Sequence, residues 1–446
     1  MGIFKAYDIR GIYNKDFDRE VVYRIGYFLP GLLKADRVLV GCDARLSSPE
    51  IFEYLSRGIN DSGADVYSVG YATTPMIYFL TVSHNFDASV QITASHNPKE
   101  YNGLKISRRA ALPVGYETGL AQLEKLVLEG TMADTIAPGK IIKFDARKEY
   151  IDFLKKYALD TGSLSIGIDC SNGMASILIK DILGSRPVYI CDTLDGSFPN
   201  HEPNPLEEKN LTDLKKLVSR EHLDLGIIYD GDADRVMFVD EKSRFISPDL
   251  IIAVLGHYYL KKEKGYVIHD IRTSKAVSEY IKKLGGTPYM WKVGHAFAKL
   301  KMRELNAIYG GELAGHYYLR DFFNCDSGIL ASLILLQVMV ELKKAGSTLS
   351  ALIDSIAKYA YSGEINFRIE KNQAAMEALK AHFSANEMPG AVHDFDGYRL
   401  EFKNWWFNVR PSNTEPYLRL VIEARDPDML EEKLAAARDI LVDFAL

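Results

Sequence analysis

The sequence predicts an α/β protein: three similar α/β domains with mixed sheets around a central cleft, plus a C-terminal α+β domain. Three observations support this prediction. The 446 residues exceed one ordinary domain. Short β-rich runs alternate with helical patterns over residues 37–309. After residue 360, predicted strands follow one another with few helices, which is typical of an α+β domain.

The first unit shows the alternation clearly. Arg37–Gly41, Asp65–Val69 and Ser89–Thr93 are rich in β-branched residues and predict strands. Pro49–Ile59 and Pro75–Asn85 predict helices, because each begins at a Pro that follows Ser or Thr. The last strand ends in a tight polar turn, ASHNP.

The same alternation resumes in two further units. Their predicted strands are Leu164–Asp169, Leu225–Tyr229, Tyr266–His269, Pro288–Trp291 and Ala307–Tyr309. Their predicted helices are Met174–Leu183, Leu211–Arg220, Ser274–Leu284 and Ala296–Leu305. Such units predict parallel or mixed sheets flanked by helices.

The last part predicts successive strands closed by one amphipathic helix, Pro427–Phe444. The predicted strands are Glu364–Glu370, Tyr398–Lys403, Trp405–Val409 and Tyr417–Glu423. The predicted domains are residues 1–143, 144–246, 247–360 and 361–446.

Composition restricts the class of protein. Hydrophobic residues make up 47% and charged residues 26%, as in soluble globular proteins. The formal net charge is −6 and no Lys/Arg block occurs, so nucleic acid is not an expected partner. The N-terminus lacks a signal-peptide pattern, and the apolar stretch Ile329–Leu342 is too short to span a membrane. Four scattered cysteines without a CxxC argue against a zinc site or a disulfide framework, and we expect a cytoplasmic protein.

The turn in QITASHNP is the first candidate for chemistry. Ser95 directly precedes His96 at the predicted end of a strand, where a hydroxyl is exposed and neighbouring donors can hold a charged adduct. The alternative is a loop that caps itself with Ser, Asn and Pro.

The second candidate is YDGDADR, which follows the apolar strand LGIIY. Asp230, Asp232 and Asp234 alternate, so an extended loop can aim three hard oxygen donors at Mg²⁺. An EF-hand calcium loop fits less well, because Arg235 stands where the sharp turn needs Gly and the flanks are strands. A phosphatase motif of the haloacid-dehalogenase type also fits less well, because Asp234 stands where a hydroxyl or β-branched residue belongs. A solvated acidic turn is the remaining alternative.

Two later loops complete the set. In YGGELAGH, Glu312 suits a carboxylate that accepts sugar hydroxyls, and His316 can carry a proton. VRPSNTEP offers a guanidinium, hydroxyls, an amide and backbone N–H groups, an inventory suited to a phosphate dianion. The alternatives are a Gly-rich hairpin and a turn rich in capping residues. Loops after strand carboxyl ends converge on one crevice, so we expect the four loops to meet. A hydroxyl nucleophile, a Mg²⁺ site, a carboxylate for sugar hydroxyls and a phosphate site in one crevice predict phosphoryl transfer on a sugar phosphate.

At this point the sequence resembles the α-D-phosphohexomutase family. QITASHNP, DGDADR, GELAGH and RPSNTEP match its four signature loops in order, and the likeness covers the whole chain. The opening FKAYDIRG and the segment WKVGHAFAKLKM resemble the bacterial phosphomannomutase/phosphoglucomutase branch rather than the phosphoglucosamine mutase branch.

The resemblance implies a role for each matching residue. Ser95 is expected to be a phosphoserine that gives and retakes a phosphoryl group. The implied metal ligands are Ser95, Asp230, Asp232 and Asp234. The other implied catalytic residues are Lys105 and His316 for proton transfer, with Arg10, His96 and Arg235 around the phosphoserine. The implied substrate-binding residues are Tyr7, Arg272, His295, Glu312, Arg410, Ser412, Asn413 and Thr414.

The resemblance also implies cofactors and partners. We expect Mg²⁺, a glucose or mannose 1,6-bisphosphate activator, sugar phosphate substrates, no nucleic acid or membrane partner, and a monomer or weak dimer. The alternatives are a phosphoglucosamine mutase and a non-catalytic calcium- or sugar-binding protein. Ala314 and Ala296 stand where relatives usually carry Ser, and each removes a hydrogen bond of about 1 kcal/mol to the sugar, which leaves the preference between glucose and mannose open.

Overall fold

The computed structural model describes residues 2–133, 137–158, 161–412 and 417–444. Within them the chain forms four sheets in succession. Helices pack against the first three sheets, which mix parallel and antiparallel pairs, whereas the fourth is antiparallel. This architecture confirms the predicted fold class.

The first sheet places the Ser95 turn near its centre. Its seven strands are β1 (Ile9–Ile12), β2 (Arg37–Cys42), β3 (Asp65–Tyr71), β4 (Ala88–Ile92), β5 (Tyr101–Arg108), β6 (Leu112–Pro113) and β7 (Ile141–Lys143). Its helices are α1 (Arg19–Leu33), α2 (Ser48–Asp61), α3 (Thr74–Ser83) and α4 (Leu120–Glu129). The order is β1-β5-β4-β2-β3-β7, with β6 beside β5. Strands β2 and β4 are parallel neighbours, so the turns after them meet at one edge of the sheet.

The second and third sheets repeat this plan. The second has β8 (Ile166–Asp169), β9 (Val188–Ile190), β10 (Leu225–Tyr229), β11 (Val236–Asp240) and β12 (Phe245–Ile246), with α5 (Arg147–Lys155), α6 (Ile179–Leu183) and α7 (Thr212–Glu221). The third has β13 (Tyr266–Asp270), β14 (Thr287–Trp291), β15 (Tyr309–Gly311), β16 (Tyr317–Leu319) and β17 (Cys325–Asp326). Its helices are α8 (Pro248–Lys262), α9 (Lys275–Lys283), α10 (His295–Glu304), α11 (Gly328–Lys344) and α12 (Leu349–Ile356).

The C-terminal part is an antiparallel sheet with two helices. Its strands are β18 (Ala360–Tyr361), β19 (Ile365–Phe367), β20 (Ala391–His393), β21 (Tyr398–Glu401), β22 (Trp405–Pro411) and β23 (Leu418–Ala424). Its helices are α13 (Asn372–Asn386) and α14 (Pro427–Val442).

Three predicted elements differ most from the observed ones. The predicted strand Ala307–Tyr309 shares only Tyr309 with β15. The predicted strand Glu364–Glu370 is reduced to the three residues of β19. The predicted helix Met174–Leu183 is a 3₁₀ turn followed by the short α6, because the backbone at Leu178 leaves helical geometry, with φ of −127°. No helix in the described ranges is long and apolar enough to cross a membrane.

The hydrophobic core joins the first three sheets into one body. A single cluster of buried side chains runs from β2 and α3 through the second sheet to α11. The rings of Phe79 and Tyr150, 5.4 Å apart, belong to it. The C-terminal sheet has its own cluster and is attached by polar contacts. Buried Arg399 donates to the backbone oxygens of Ile271 and Thr273, both at 2.7 Å, and so fixes the last sheet beside the third.

Candidate active site

The Ser95 turn has a constrained backbone at the end of β4. Ser95 is buried, with φ of 52° in the left-handed region, which costs a non-glycine residue about 1–2 kcal/mol. Its backbone N–H donates to Oγ1 of Thr93 at 2.9 Å, and that hydroxyl donates to Oδ2 of Asp43 at 2.7 Å. The surrounding hydrogen bonds therefore hold the serine in a conformation that it would not adopt alone.

Arg45 is the main support of this turn, and sequence reasoning missed it. Its guanidinium is buried and donates to four backbone oxygens. They belong to Ser95 (2.8 Å), Asn97 (2.7 Å), Pro98 (2.6 Å) and Tyr101 (3.0 Å). Since Arg45 follows β2, the parallel neighbour of β4, its position at the same sheet edge was the available signal.

The acidic loop after β10 meets the Ser95 turn directly. Oγ of Ser95 donates to Oδ2 of Asp230 at 2.6 Å, although 135 residues separate the two. A Cβ atom at Gly231 would lie 2.5 Å from the carbonyl oxygen of Ser95, so only glycine permits this approach. The loops thus place a hydroxyl against the first of three carboxylates.

The three carboxylates form a buried cluster that fits a metal ion. Asp230, Asp232 and Asp234 are fully buried, and one oxygen from each lies within 4.8 Å of the others. Oδ1 of Asp232 and Oδ1 of Asp234 have no hydrogen-bond partner among the described residues. Burial and repulsion from the other two carboxylates raise the pKa of Asp230 well above its usual range. A cation bound to these oxygen donors would relieve both costs.

Lys105 compensates part of this negative charge. It projects from β5, donates to Oδ2 of Asp232 at 2.7 Å, and also contacts Asp234. Burial alone would lower the pKa of Lys105, but the three carboxylates raise it above its ordinary value, so the side chain is a charged donor here. Thr74, at the start of α3, also donates to Asp232 and was likewise missed by the sequence.

Further basic groups surround the serine. Nδ1 of His96 lies 3.4 Å from Oγ of Ser95. Burial, together with Arg235, Arg10 and Lys105, holds the pKa of His96 well below its usual range, so the ring is neutral. Nη1 of Arg10 donates to the side chain of Asn97 at 2.7 Å, within the same turn.

The third loop is the hairpin between β15 and β16. Glu312 is buried, its Oε1 accepts from the backbone N–H of Gly294 at 2.9 Å, and burial raises the pKa of its carboxyl group. Nε2 of His316 accepts from Nε of Arg235 at 2.9 Å, which ties this hairpin to the acidic loop.

Tyr7 and His295 lie beside the third loop. The Tyr7 hydroxyl donates to the backbone oxygen of Val293 at 3.0 Å, and its ring lies 5.6 Å from that of His295. The His295 ring lies 5.7 Å from the His316 ring. Burial and the nearby Lys299 hold the pKa of His295 well below its usual range. The His295 ring therefore presents a neutral surface.

Arg272 has carboxylate partners on two domains. Its guanidinium donates to Asp270 at 2.7 Å and to Glu364 at 3.0 Å, and the residue is only 4% exposed. These contacts join the third sheet to the C-terminal part.

Arg410 is connected to the neighbourhood of Glu312 through one carboxylate. It projects from β22, and its Nε donates to Oδ1 of Asp396 at 3.1 Å. Oδ2 of Asp396 accepts from the backbone N–H of Val293 at 2.8 Å, next to the Gly294 that bonds Glu312. Nη2 of Arg410 is buried without a partner among the described residues. Ser412 follows β22, whereas Asn413 and Thr414 lie outside the described residues.

An ion pair between half-buried His201 and buried Asp169 supports the acidic loop from within its own domain. Nε2 of His201 lies 3.1 Å from Oδ2 of Asp169, and Nδ1 lies 2.8 Å from the backbone oxygen of Glu202. Burial alone would lower the pKa of His201, but the contacts with Asp169 and Cys191 raise it to about 10. This pair anchors the turn after β8, where the backbone N–H of Met174 donates to the oxygen of Gly231 at 2.9 Å.

We expect His201→Asn to lower the free energy of unfolding at pH 7 by about 1.5–3 kcal/mol, because it removes a charged hydrogen bond. The raised pKa means that this stabilisation is complete below about pH 6.5, the value for the unfolded chain, and is lost as the pH rises through about 10. Denaturant titrations of both proteins across this range measure the difference. A difference in unfolding free energy between wild type and variant that grows toward pH 10 would contradict the ion pair.

Comparison with known proteins places all four parts of the chain in one family description. The matching models are those of phosphoglucomutase/phosphomannomutase: α/β/α domain I at residues 1–133, domain II at 148–243, domain III at 247–359 and the C-terminal domain at 364–440. Together they cover most of the chain and confirm the resemblance inferred from the four loops.

Individual relatives agree with the family models. A phosphomannomutase from Salmonella montevideo is 38% identical over 452 residues, covering 98% of both chains. A phosphomannomutase from Methanocaldococcus jannaschii is 36% identical over 448 residues, covering 98% of this chain and 97% of the relative. The structure of a phosphoglucomutase/phosphomannomutase family protein from Burkholderia thailandensis superposes with a TM-score of 0.86 at 29% identity, covering 99% of this chain and 97% of that one.

Proposed function

The chain belongs to the phosphoglucomutase/phosphomannomutase family, and we propose that it interconverts the 1-phosphate and 6-phosphate of a hexose through a phosphoryl group carried on Ser95. It is a hexose phosphate mutase, an isomerase, like the phosphomannomutases that it resembles. The binding-protein alternative is not favoured, and neither is a phosphoglucosamine mutase.

One observation carries the proposal: the Ser95 hydroxyl lies against a buried carboxylate cluster. Oγ of Ser95 bonds Asp230, and two oxygens of the cluster lack partners among the described residues. A simple structural serine has no need for three buried carboxylates beside it. A phosphoryl carrier does, because its charge of about −1.5 to −2 must be held by cations.

The chain's own groups can bind and orient that phosphoryl group. Arg10, His96 and Arg235 would contact its oxygens as donors, and Lys105 would add positive charge. Mg²⁺ would be held by Asp230, Asp232, Asp234 and an oxygen of the phosphoserine, and would supply charge stabilisation of the transferred group.

Transfer exchanges one phosphorus–oxygen bond for another. The bond to Oγ of Ser95 breaks as a sugar hydroxyl oxygen bonds the phosphorus. The hydroxyl proton passes to a nearby base, for which His316 is our candidate, and the released Ser95 oxygen takes up a proton, for which Lys105 is our candidate donor. The product is a sugar bisphosphate. If it turns around within the cleft, its other phosphate can return to Ser95, and the net result is isomerisation. Glu312 would hold hydroxyl groups in both orientations.

Arg410 would bind whichever phosphate is not reacting. Its Nη2 is buried without a partner among the described residues, while Asp396 fixes Nε and links the group to the sugar side. Ser412, Asn413 and Thr414 would add donors to the same phosphate.

We expect Arg410→Ala to raise KM about 10- to 150-fold for both the 1-phosphate and the 6-phosphate, the equivalent of about 1.5–3 kcal/mol for a charged hydrogen bond. Because the lost contact is present in both ground and transition states, kcat should change less. Steady-state kinetics in both directions measure this. Arg425→Ala, which removes an exposed arginine of the same domain, is the control, and an unchanged KM for Arg410→Ala would exclude this residue from the phosphate site.

Parallel kinetics with the 1-phosphates of glucose, mannose and N-acetylglucosamine test the proposed function. We expect turnover of the glucose or mannose compound, or both, to the 6-phosphate, with kcat/KM for the N-acetylglucosamine compound far lower. Turnover of only the N-acetylglucosamine compound would contradict the proposal. Ala314 and Ala296 each lack a hydroxyl that could bond the sugar. The same kinetics with Ala314→Ser and Ala296→Ser directly test the preference between glucose and mannose.

A further inference from the structure

A buried charged pair lies behind His316, outside the four loops. Lys299 projects from α10 and Asp326 from β17, and their side chains are 1% and 0% exposed. Nζ of Lys299 lies 2.7 Å from Oδ1 of Asp326, and Oδ2 of Asp326 lies 2.6 Å from Nδ1 of His316. The Lys299 ammonium also lies 3.8 Å from the centre of the Tyr78 ring. The three side chains, from α10, β17 and the loop between β15 and β16, thus form a continuous chain of contacts.

A hydrogen bond on the other side of the imidazole indicates which ring nitrogen carries the proton. Nε of Arg235 donates to Nε2 of His316 at 2.9 Å. A guanidinium has only donors, so Nε2 must be the acceptor and the ring proton must lie on Nδ1. Nδ1 faces two carboxylates, Oδ2 of Asp326 at 2.6 Å and Oδ1 of Asp234 at 3.8 Å.

We propose that Asp326, held in place by Lys299, positions His316 for proton transfer by keeping the proton on Nδ1 and the lone pair on Nε2. The inference rests on the proposed role of His316 in the mutase reaction. When Arg235 turns toward a phosphate, Nε2 is free to accept the proton of a sugar hydroxyl as that oxygen bonds phosphorus. The O–H bond breaks, an N–H bond forms at Nε2, and the Asp326 carboxylate stabilises the resulting imidazolium. Asp326 itself touches no substrate and is a positioning residue.

Lys299 determines the orientation of an amide at position 326. In Asp326→Asn the carbonyl oxygen would face the Lys299 ammonium, which can only donate, so the NH₂ group would face Nδ1 of His316. The ring proton would then move to Nε2, the wrong nitrogen for a base, and Nε of Arg235 would have to turn away from the ring. We expect kcat to fall about 10²- to 10⁴-fold, the range that general acid–base catalysis contributes, while KM changes little.

A double-mutant cycle of Asp326→Asn with His316→Asn tests the coupling. Positioning predicts that Asp326→Asn lowers kcat only when His316 is present. An equal loss in both backgrounds would overturn the proposal, because Asp326 would then act independently of the ring. Lys301→Met, which removes another buried lysine of α10, is the control and should retain turnover.

Two further measurements separate positioning from folding and from the proposed function. The double variant Lys299→Met/Asp326→Asn leaves no unpaired buried ammonium, so its melting temperature should exceed that of Asp326→Asn alone. Because the amide can then rotate, kcat should also recover in part relative to Asp326→Asn. Ring ¹⁵N shifts of His316 should show a protonated Nδ1 in the wild type and a protonated Nε2 in Asp326→Asn; identical shifts would overturn the proposal.

If His316→Asn kept full turnover, the proton-transfer role within the proposed function would fail, whereas the ring shifts would still report the positioning directly.

Discussion

Ser95→Ala is expected to lose roughly 10⁴-fold or more of its turnover of glucose 1-phosphate, as nucleophile substitutions do in other enzymes. The reason is that the variant has no oxygen to carry the phosphoryl group, and no other hydroxyl contacts Asp230 among the described residues. Coupled-enzyme kinetics with added glucose 1,6-bisphosphate measure the loss. Full turnover by the variant would exclude a phosphoserine mechanism.

Ser171→Ala is the matched control for this experiment. Ser171 follows β8 in the second sheet as Ser95 follows β4 in the first, and it is also buried with a positive φ, of 51°. Its hydroxyl donates to the backbone oxygen of Tyr229 at 2.6 Å. Removal of this hydroxyl should reduce stability modestly and retain most of the turnover, so a loss confined to Ser95 reports chemistry.

The second large expected effect is the loss of activity when the metal is removed. We expect a chelator to abolish activity and Mg²⁺ to restore it in the wild type, because three buried carboxylates otherwise repel one another and the phosphoserine. In Asp232→Asn, one charged ligand is lost, and we expect kcat to stay about 10²- to 10³-fold lower at ordinary Mg²⁺ concentrations, a range typical of lost electrostatic stabilisation. Activity that is equal with and without a chelator would contradict the metal site.

Asp240→Asn serves as the control for the metal experiment. Asp240 is buried in the same sheet, but its carboxylate bonds Arg244, at 2.7 Å from Nε. Its substitution should change stability and leave the Mg²⁺ concentration dependence of activity unchanged. A dependence that shifts equally in both variants would indicate a general effect on folding.

The sequence predicted the loops of the site well because chemistry and topology coincide there. Polar residues with few structural uses follow apolar strands, as Asp230 follows LGIIY, and the ends of such strands meet in one crevice. The structure brings Ser95 and Asp230 into contact as that reasoning implied.

The supporting residues could not be predicted in the same way. Arg45, Lys299 and Asp326 act through backbone oxygens or through another side chain, and these contacts bridge large sequence separations. Nothing in the local pattern distinguishes a buried lysine of a helix from an exposed one. Only the assembled packing shows that Lys299 faces Asp326 rather than water.

Several helices were also missed for a physical reason. Helices α8 and α11 are buried on nearly every side, so they lack the apolar stripe of a surface helix and show no 3.6-residue period. The apolar stretch Ile329–Leu342 was recognised only as too short for a membrane span, and it lies within α11 in the shared core. Helix α13, which is rich in Ala, interrupts the run of strands predicted for the C-terminal part.

In the proposed reaction, Ser95 receives and returns the phosphoryl group. The most direct measurement is peptide mass spectrometry of dephosphorylated protein incubated with glucose 1,6-bisphosphate, followed by a chase with excess glucose 6-phosphate. We expect one phosphoryl group per chain on the peptide that contains Ser95, and its loss during the chase as bisphosphate forms. A protein that remains unmodified, or a phosphoryl group on another residue that the chase removes, would contradict the proposed reaction.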